Sequence, residues 1–193
     1  MQHLITPYEG KHETWAFWEN GFSNEELDVL QQIAKQAQVP AQIGRGEDGQ
    51  VDPNVRRTKV QWVDKSRDNE WFFQRMSHIA SALNAQCFNF TLTGFAEAAQ
   101  FCNYSSADEG TYSWHQDFGS SVSRKLSLVL LLSNPESYEG GALQVLTKAE
   151  PETLPNKRGT VLVFPAWTLH RVTPVIHGER QSVVLWAAGD PFR

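Results

Sequence analysis

The sequence predicts a mainly β fold: a double-stranded β-helix, or jelly roll, with two N-terminal helices packed on the major sheet. Three observations carry that expectation. Two stretches before residue 85 place apolar residues at helical spacing. From residue 88 onward about eight short strand-like runs follow, most of them separated by turn clusters. Residues 126–132 are apolar at almost every position, as in a strand covered on both faces, and the helices would be one of the covers.

Taken in order, residues 1–22 mix aromatic side chains (Tyr8, Trp15, Phe17, Trp18, Phe22) with polar ones at no sustained period. They read as a strand or extended arm against the body. Ser23 lies three residues before Glu26, a capping box, and Leu27, Leu30, Ile33, Ala34 and Ala37 follow at helical spacing until Pro40. Residues 44–55 are rich in glycine and acids and read as a loop, either a plain surface connection or a mobile lid. Residues 57–63 read as a strand. A second helix is expected over 68–84, with Trp71, Phe72, Met76, Ile79, Ala80 and Leu83 as its core stripe. Strands are expected at 88–93, 95–104, 111–115, 126–132, 142–146, 160–164, 170–172 and 182–187. The expected organisation is one domain over 1–193, with a helical support region at 1–85 and a jelly-roll core at 86–193.

A chain of 193 residues with 40% hydrophobic and 20% charged residues can bury a sizeable core and is ordinary for a soluble protein. The net charge of -5 argues against a sequence-independent grip on nucleic acid. Three basic clusters, Arg56-Arg57-x-Lys59, Arg124-Lys125 and Lys157-Arg158, read as solvated loop and strand-edge charge. Cys87 and Cys102 make neither a disulfide scaffold nor a zinc cluster. The N-terminus has no basic patch before an apolar core, and the apolar run at 126–132 is too short to span a bilayer. The expectation is a cytoplasmic protein with no membrane and no nucleic-acid partner.

The chemistry centres on His115 and Asp117. One residue separates them, so on an extended strand both side chains leave the same face. One imidazole and one carboxylate aimed at one point make two-thirds of a facial iron site. Two histidines and a carboxylate with open positions opposite is the pattern of non-haem Fe(II) oxygenases. His170, which follows the apolar run at 160–164, is the candidate for the missing ligand. Arg180 opens a further apolar stretch, and a cation at the head of a buried strand is costly unless it meets an anion. Its guanidinium suits a carboxylate held by two parallel hydrogen bonds, and Ser182 shares its face.

His115-Gln116-Asp117, His170 at 53 residues beyond Asp117, and Arg180-x-Ser182 together resemble the Fe(II)/2-oxoglutarate-dependent dioxygenases, most closely the prolyl-4-hydroxylase-like branch. The likeness takes in Tyr104, Tyr112, residues 124–128 and residues 139–143. It runs from about residue 95 to 188 and extends more weakly back to the helix near residue 24.

The resemblance implies iron held by His115, Asp117 and His170, which are also the catalytic set. It implies 2-oxoglutarate anchored at Arg180, with Ser182 and Tyr104 as further partners, dioxygen as co-reactant, and the family's L-ascorbic acid binding. The reaction implied is hydroxylation of an aliphatic carbon of proline, peptidyl or free, or of a related amino acid, giving succinate and carbon dioxide. Relatives that transfer halide carry a small residue in place of the carboxylate, so Asp117 points to hydroxylation. Gln100, Cys102 and Tyr104 alternate along one strand and share a face. With Tyr112 and Trp186 they are the candidate pocket residues, Tyr104 and Tyr112 being equally consistent with core positions. Trp114 points away from His115 and reads as core, while Trp167 fits either role. The sequence departs from the family at the central strand. Several relatives place Tyr, Thr or Lys there to contact the far carboxylate, and residues 126–132 offer only Ser127.

His3, His12, His78 and His177 match no such pattern, and Ser113 and Ser127 lack the base of a nucleophilic site. Two competing readings are a non-catalytic metal-binding jelly-roll module, acting as sensor or scaffold, and a cupin-type dioxygenase that uses no oxo acid. Arg180 weighs against both, because neither needs a buried cation.

Overall fold

Ser23 starts the first helix through the reciprocal contact expected of it. Its Oγ accepts from the Glu26 amide at 3.2 Å, and its own amide donates to Glu26 Oε2 at 2.8 Å. The computed structural model describes residues 13–44, 49–118 and 122–190, so His3 and His12 lie outside the described residues. In chain order the elements are β1 (Ala16–Trp18), α1 (Asn24–Lys35), β2 (Val39–Pro40), β3 (Arg56–Arg57), β4 (Lys59–Val63) and α2 (Glu70–Leu83). Then come β5 (Leu92–Phe95), β6 (Ala99–Ser105), β7 (Thr111–His115), β8 (Arg124–Leu131), β9 (Tyr138–Gly140) and β10 (Leu143–Val145). The last are β11 (Glu152–Thr153), β12 (Val161–Pro165), β13 (His170–Val172) and β14 (Val175–Gly189).

The strands form two antiparallel sheets. The major one runs β1-β12-β8-β14-β6-β4-β2, with β5 and β9 also paired to β14, and the minor one runs β11-β10-β13-β7-β3. Strand β8 shows why its sequence is apolar throughout. Leu126, Leu128, Leu130 and Leu132 pack beneath the helices with Leu30, Phe72, Met76 and Ile79. Val129 and Leu131 face the other way, into the core between the sheets with Phe164 and Val172. Burial of a side chain such as Met76 contributes about 1.5–3 kcal/mol, so this two-sided cover anchors the central strand. The architecture is therefore the expected jelly roll with two helices on the major sheet. Among the described residues no helix is long and apolar enough to cross a membrane.

Three expectations are corrected. The strand at 88–93 is replaced by a π-helical turn, Asn84–Phe88, that prolongs α2 and ends at Asn89 in the left-handed region (φ 56). The Asn84 side chain closes that turn on both backbone groups of Phe90, so pairing resumes only at β5. The expected strand at 95–104 is interrupted, with β5 ending at Phe95 and β6 beginning at Ala99. The basic clusters are also not uniformly solvated, because Arg56, Arg124 and Lys125 are buried while Arg57 and Lys157 are not. Of the loop at 44–55, residues 45–48 lie outside the described residues, and an Ile43–Gln50 bridge pairs its flanks.

Candidate active site

Strand pairing brings the distant histidines together. In the antiparallel β7–β13 pair, His170 stands directly opposite His115, with ring centroids 4.1 Å apart. Asp117 lies just beyond the end of β7, where its amide donates to the Ala166 carbonyl at 2.9 Å in the turn that precedes His170. One ligand atom from each of His115, Asp117 and His170 lies within 4.8 Å of the others, so the three can meet one ion.

Each imidazole is oriented by the backbone. His115 Nδ1 lies 2.7 Å from the Ser113 carbonyl and His170 Nδ1 lies 2.8 Å from the Thr168 carbonyl. A carbonyl only accepts, so Nδ1 carries the proton in each ring and the Nε2 lone pair is free. Those Nε2 atoms point at Asp117, at 3.9 Å from its Oδ1 for His115 and 3.6 Å from its Oδ2 for His170. Asp117 Oδ2 accepts a 2.6 Å hydrogen bond from Ser127 Oγ. Burial, then the neighbouring His170, pushes the His115 pKa down to about 3, which keeps its ring neutral at physiological pH. Burial opposes charge on Asp117, but the two imidazoles and the Ser127 hydroxyl outweigh it and hold its carboxyl below the ordinary value. Two neutral imidazoles and one carboxylate on one face suit Fe(II).

The three donors open onto a cavity of about 1110 Å³ between the sheets, a volume that admits a small dicarboxylate and a second small molecule together. Arg180 enters it from β14. It is only 2% exposed, and among the described residues it makes no ion pair. Its Nη1 donates to Ser182 Oγ at 3.2 Å, and its guanidinium lies over the Tyr104 ring, 5.4 Å from the centroid. Tyr104 is its register partner on β6. A buried guanidinium with neutral partners fits the free end of a dicarboxylate. Of the further candidates, Gln100, Tyr104, Tyr112 and Trp186 line the cavity. Tyr112 stacks on His115 with ring centroids 3.4 Å apart.

Some expected positions fall elsewhere. Cys102 is not on the cavity wall, and its thiol is packed in the core between the sheets. Trp114 is half-buried and covered by the Arg171 guanidinium at 4.6 Å, not part of the core. Trp167 is 38% exposed, with its edge against Phe90. His78 and His177 are exposed. Ser127 turns toward Asp117.

Two cavity cations lie among the residues that the sequence presents as solvated charge. Arg124 pairs with Glu97 at 2.6 and 2.9 Å, and its guanidinium covers the Trp186 ring at 3.7 Å. Arg56 is buried from the minor-sheet side. Its signal was the alternation of Arg56, Thr58 and Val60, buried at every second position and easy to pass over inside a basic cluster.

Residues 99–188 match the family model described as the 2OG-Fe(II) oxygenase superfamily. A PKHD-type hydroxylase of Synechococcus sp. (strain CC9605) is 44% identical over 87 residues, covering 42% of this chain and 38% of that protein. A PKHD-type hydroxylase of Klebsiella pneumoniae (strain 342) is 34% identical over 108 residues, covering 52% of this chain and 47% of that protein. The chain thus matches less than half the length of either relative. Among solved structures, a Pseudomonas putida prolyl-4-hydroxylase superposes with a TM-score of 0.70 at 19% identity, over 92% of this chain and 94% of that one. A Trichoplax adhaerens prolyl hydroxylase, solved in complex with a hypoxia inducible factor oxygen degradation domain peptide fragment, gives 0.75 at 16% identity, over 91% and 84%. The chain therefore has the fold of the prolyl-4-hydroxylases, and the part of it that carries the donor triad and the buried Arg180 is similar to the 2OG-Fe(II) oxygenase superfamily.

Proposed function

We propose that this chain is an Fe(II)- and 2-oxoglutarate-dependent dioxygenase that hydroxylates an aliphatic carbon of proline or a related amino acid. In the balanced reaction, substrate, 2-oxoglutarate and dioxygen give hydroxylated substrate, succinate and carbon dioxide. The observation that carries this reading is the pairing of a convergent two-His, one-carboxylate set with the buried Arg180, which makes no ion pair among the described residues, in the same cavity.

His115, Asp117 and His170 would hold the iron, which supplies one-electron and oxygen chemistry when bound. The chain's own residues orient and insulate. The carbonyls of Ser113 and Thr168 fix both imidazole tautomers, so both Nε2 atoms stay available. Ser127 steers one oxygen of Asp117 and leaves the other to bind metal. Arg180 would grip the far carboxylate of 2-oxoglutarate, with Ser182 and Tyr104 beside it. Trp186, held flat by the Arg124–Glu97 pair, forms an aromatic wall, and its indole N–H lies close enough to the Asp117 carboxylate to help hold that carboxyl's pKa down. That wall limits water beside the donors. The 3.4 Å stack of Tyr112 shields the His115 ring in the same way.

The test is anaerobic addition of Fe(II) and 2-oxoglutarate, followed by oxygen and a succinate assay. Slow succinate formation without added substrate is expected, and Asp117→Ala should abolish it. Arg180→Ala should raise the 2-oxoglutarate concentration required by roughly ten- to a hundredfold, the loss of a charge-assisted pair. An unchanged dependence on 2-oxoglutarate in that variant would overturn the cosubstrate assignment.

A further inference from the structure

The cavity contains a second cation to which this mechanism gives no task. Arg56 comes from β3, on the edge of the minor sheet, opposite Tyr112 in register. It is 7% exposed and lines the same cavity as Arg180. Its Nη2 donates to Gln100 Oε1 at 2.9 Å and lies 3.8 Å from Cys102 Sγ. Its guanidinium covers the Tyr112 ring at 4.5 Å, and its Nε is buried with no hydrogen-bond partner. Among the described residues it makes no ion pair, whereas its cavity neighbour Arg124 is fully matched by Glu97. Among the described residues every contact of Arg56 is therefore neutral. Arginine cannot shed its proton, and a buried cation without an anion is strongly unfavourable. A cavity that keeps one is shaped for an anionic ligand.

The cosubstrate does not meet that demand. Under the proposed function its two carboxylates face the metal donors and Arg180. Metal, Asp117, Arg180 and Arg56 carry three net positive charges, and a dianionic 2-oxoglutarate leaves one uncompensated. The position of Arg56 also suits a short molecule. The Tyr112 ring touches both, stacked on His115 at 3.4 Å and contacted by the Arg56 guanidinium at 4.5 Å, so Arg56 is one ring removed from a metal donor. An anion at Arg56 would thus be about one small amino acid away from the reacting centre. Gln100 spends its carbonyl oxygen on Arg56, and its amide NH2 remains to donate to the same ligand.

We propose that Arg56 and Gln100 form a carboxylate-binding subsite, so that the substrate is a small amino acid with a free carboxylate and not an internal residue of a peptide. The proposal rests on the dioxygenase reading.

The experiment titrates anaerobic protein, loaded with Fe(II) and 2-oxoglutarate, with L-proline, N-acetyl-L-proline and the other free amino acids, each against its primary amide. Binding is followed by calorimetry. At least one acid should bind about tenfold or more tightly than its amide, as a charge-assisted hydrogen bond gives. Arg56→Gln should remove that preference while changing 2-oxoglutarate affinity less than about threefold. Gln100→Leu, which leaves the Arg56 charge in place, should narrow the preference and guards against a folding defect in the first variant. The subsite is refuted if no acid outranks its amide, or if the preference survives both substitutions. It is also refuted if Arg56→Gln weakens 2-oxoglutarate as much as Arg180→Gln does, which would give Arg56 to the cosubstrate. Failure of wild-type, Fe(II)-loaded protein to bind 2-oxoglutarate at all would instead sink the dioxygenase reading itself.

Discussion

Replacing Ser127 with alanine tests how the carboxylate of the donor set is held. Ser127 is fully buried on β8, and its hydroxyl donates to Asp117 Oδ2 at 2.6 Å. The substitution removes one oxygen atom and leaves no unpaired donor behind, so it isolates a single hydrogen bond. A hydrogen bond to an ionised group contributes roughly 1.5–3 kcal/mol. Outer-shell partners of metal ligands typically change affinity by about 10–100-fold, or about 1.4–2.7 kcal/mol, so two independent routes give the same range. Asp117 in Ser127→Ala should lose its fixed orientation and bind metal weaker by that factor. The assay is anaerobic competition for Fe(II) against a chromophoric chelator, with thermal melting of the metal-free protein as the control for folding. Ser127→Thr keeps the hydroxyl and should stay near wild type. Wild-type metal affinity in Ser127→Ala would refute the reasoning. A loss of 2-oxoglutarate affinity with metal affinity intact would show instead that this hydroxyl serves the cosubstrate.

Three further outcomes follow from the packing. Gly141 has φ +60, and a Cβ there would lie 2.9 Å from Arg180 Cδ. Gly141→Ala should therefore cost about 1–2 kcal/mol of stability from the left-handed backbone and weaken 2-oxoglutarate binding by displacing the anchor, both measurable by melting with and without cosubstrate. Met76 is fully buried between α2 and the major sheet, so Met76→Ala should cost about 2–5 kcal/mol in a denaturant melt. Glu26 carries both the capping box and a bidentate pair with Arg75, and the Arg75 hydrogen bond holds its pKa below the usual 4.5. A depressed carboxyl contributes stability that is full above the unfolded value and lost as pH falls through the folded one. The wild-type melting temperature should thus drop more steeply than that of Glu26→Gln as pH is lowered below 4.5.

The sequence made the metal donors legible because their chemistry is explicit. His115 and Asp117 sit at a strand end, and an imidazole after a second apolar run could be paired with them by type alone. Arg180 was readable as a cation where a buried strand should begin, although β14 in fact starts earlier, at Val175, and places it mid-strand. What could not be read depended on contacts between distant residues. The Phe-Asn-Phe-Thr pattern at 88–91 has the composition of a strand, yet Asn89 adopts a left-handed conformation and Asn84 locks the turn, so tertiary hydrogen bonding overrides propensity. Ser127 stands out in the sequence only as the lone polar residue of the central strand, and only the fold shows Asp117 within reach of it. Arg56 was hidden by its neighbours, because Arg57 and Lys59 do point outward and the trio reads as surface charge.

The division of labour between the sheets bears on what the site is for. His115 and His170 belong to the minor sheet, and Asp117 hangs from the turn beside them. A module that merely stored metal would need that set and little else. The opposing sheet nevertheless supplies Arg180, with Ser182 beside it and Tyr104 beneath, and Arg56 reaches across from the minor-sheet edge to Gln100 on β6. Among the described residues each guanidinium is desolvated against neutral partners, which lowers the stability of the empty protein. Cations kept at that cost, in a chain whose net charge is -5, are hard to reconcile with a structural role and follow directly from a need to seat anions beside the metal. Two such cations imply two anions, the cosubstrate and an acid substrate, and a scaffold reading accounts for neither.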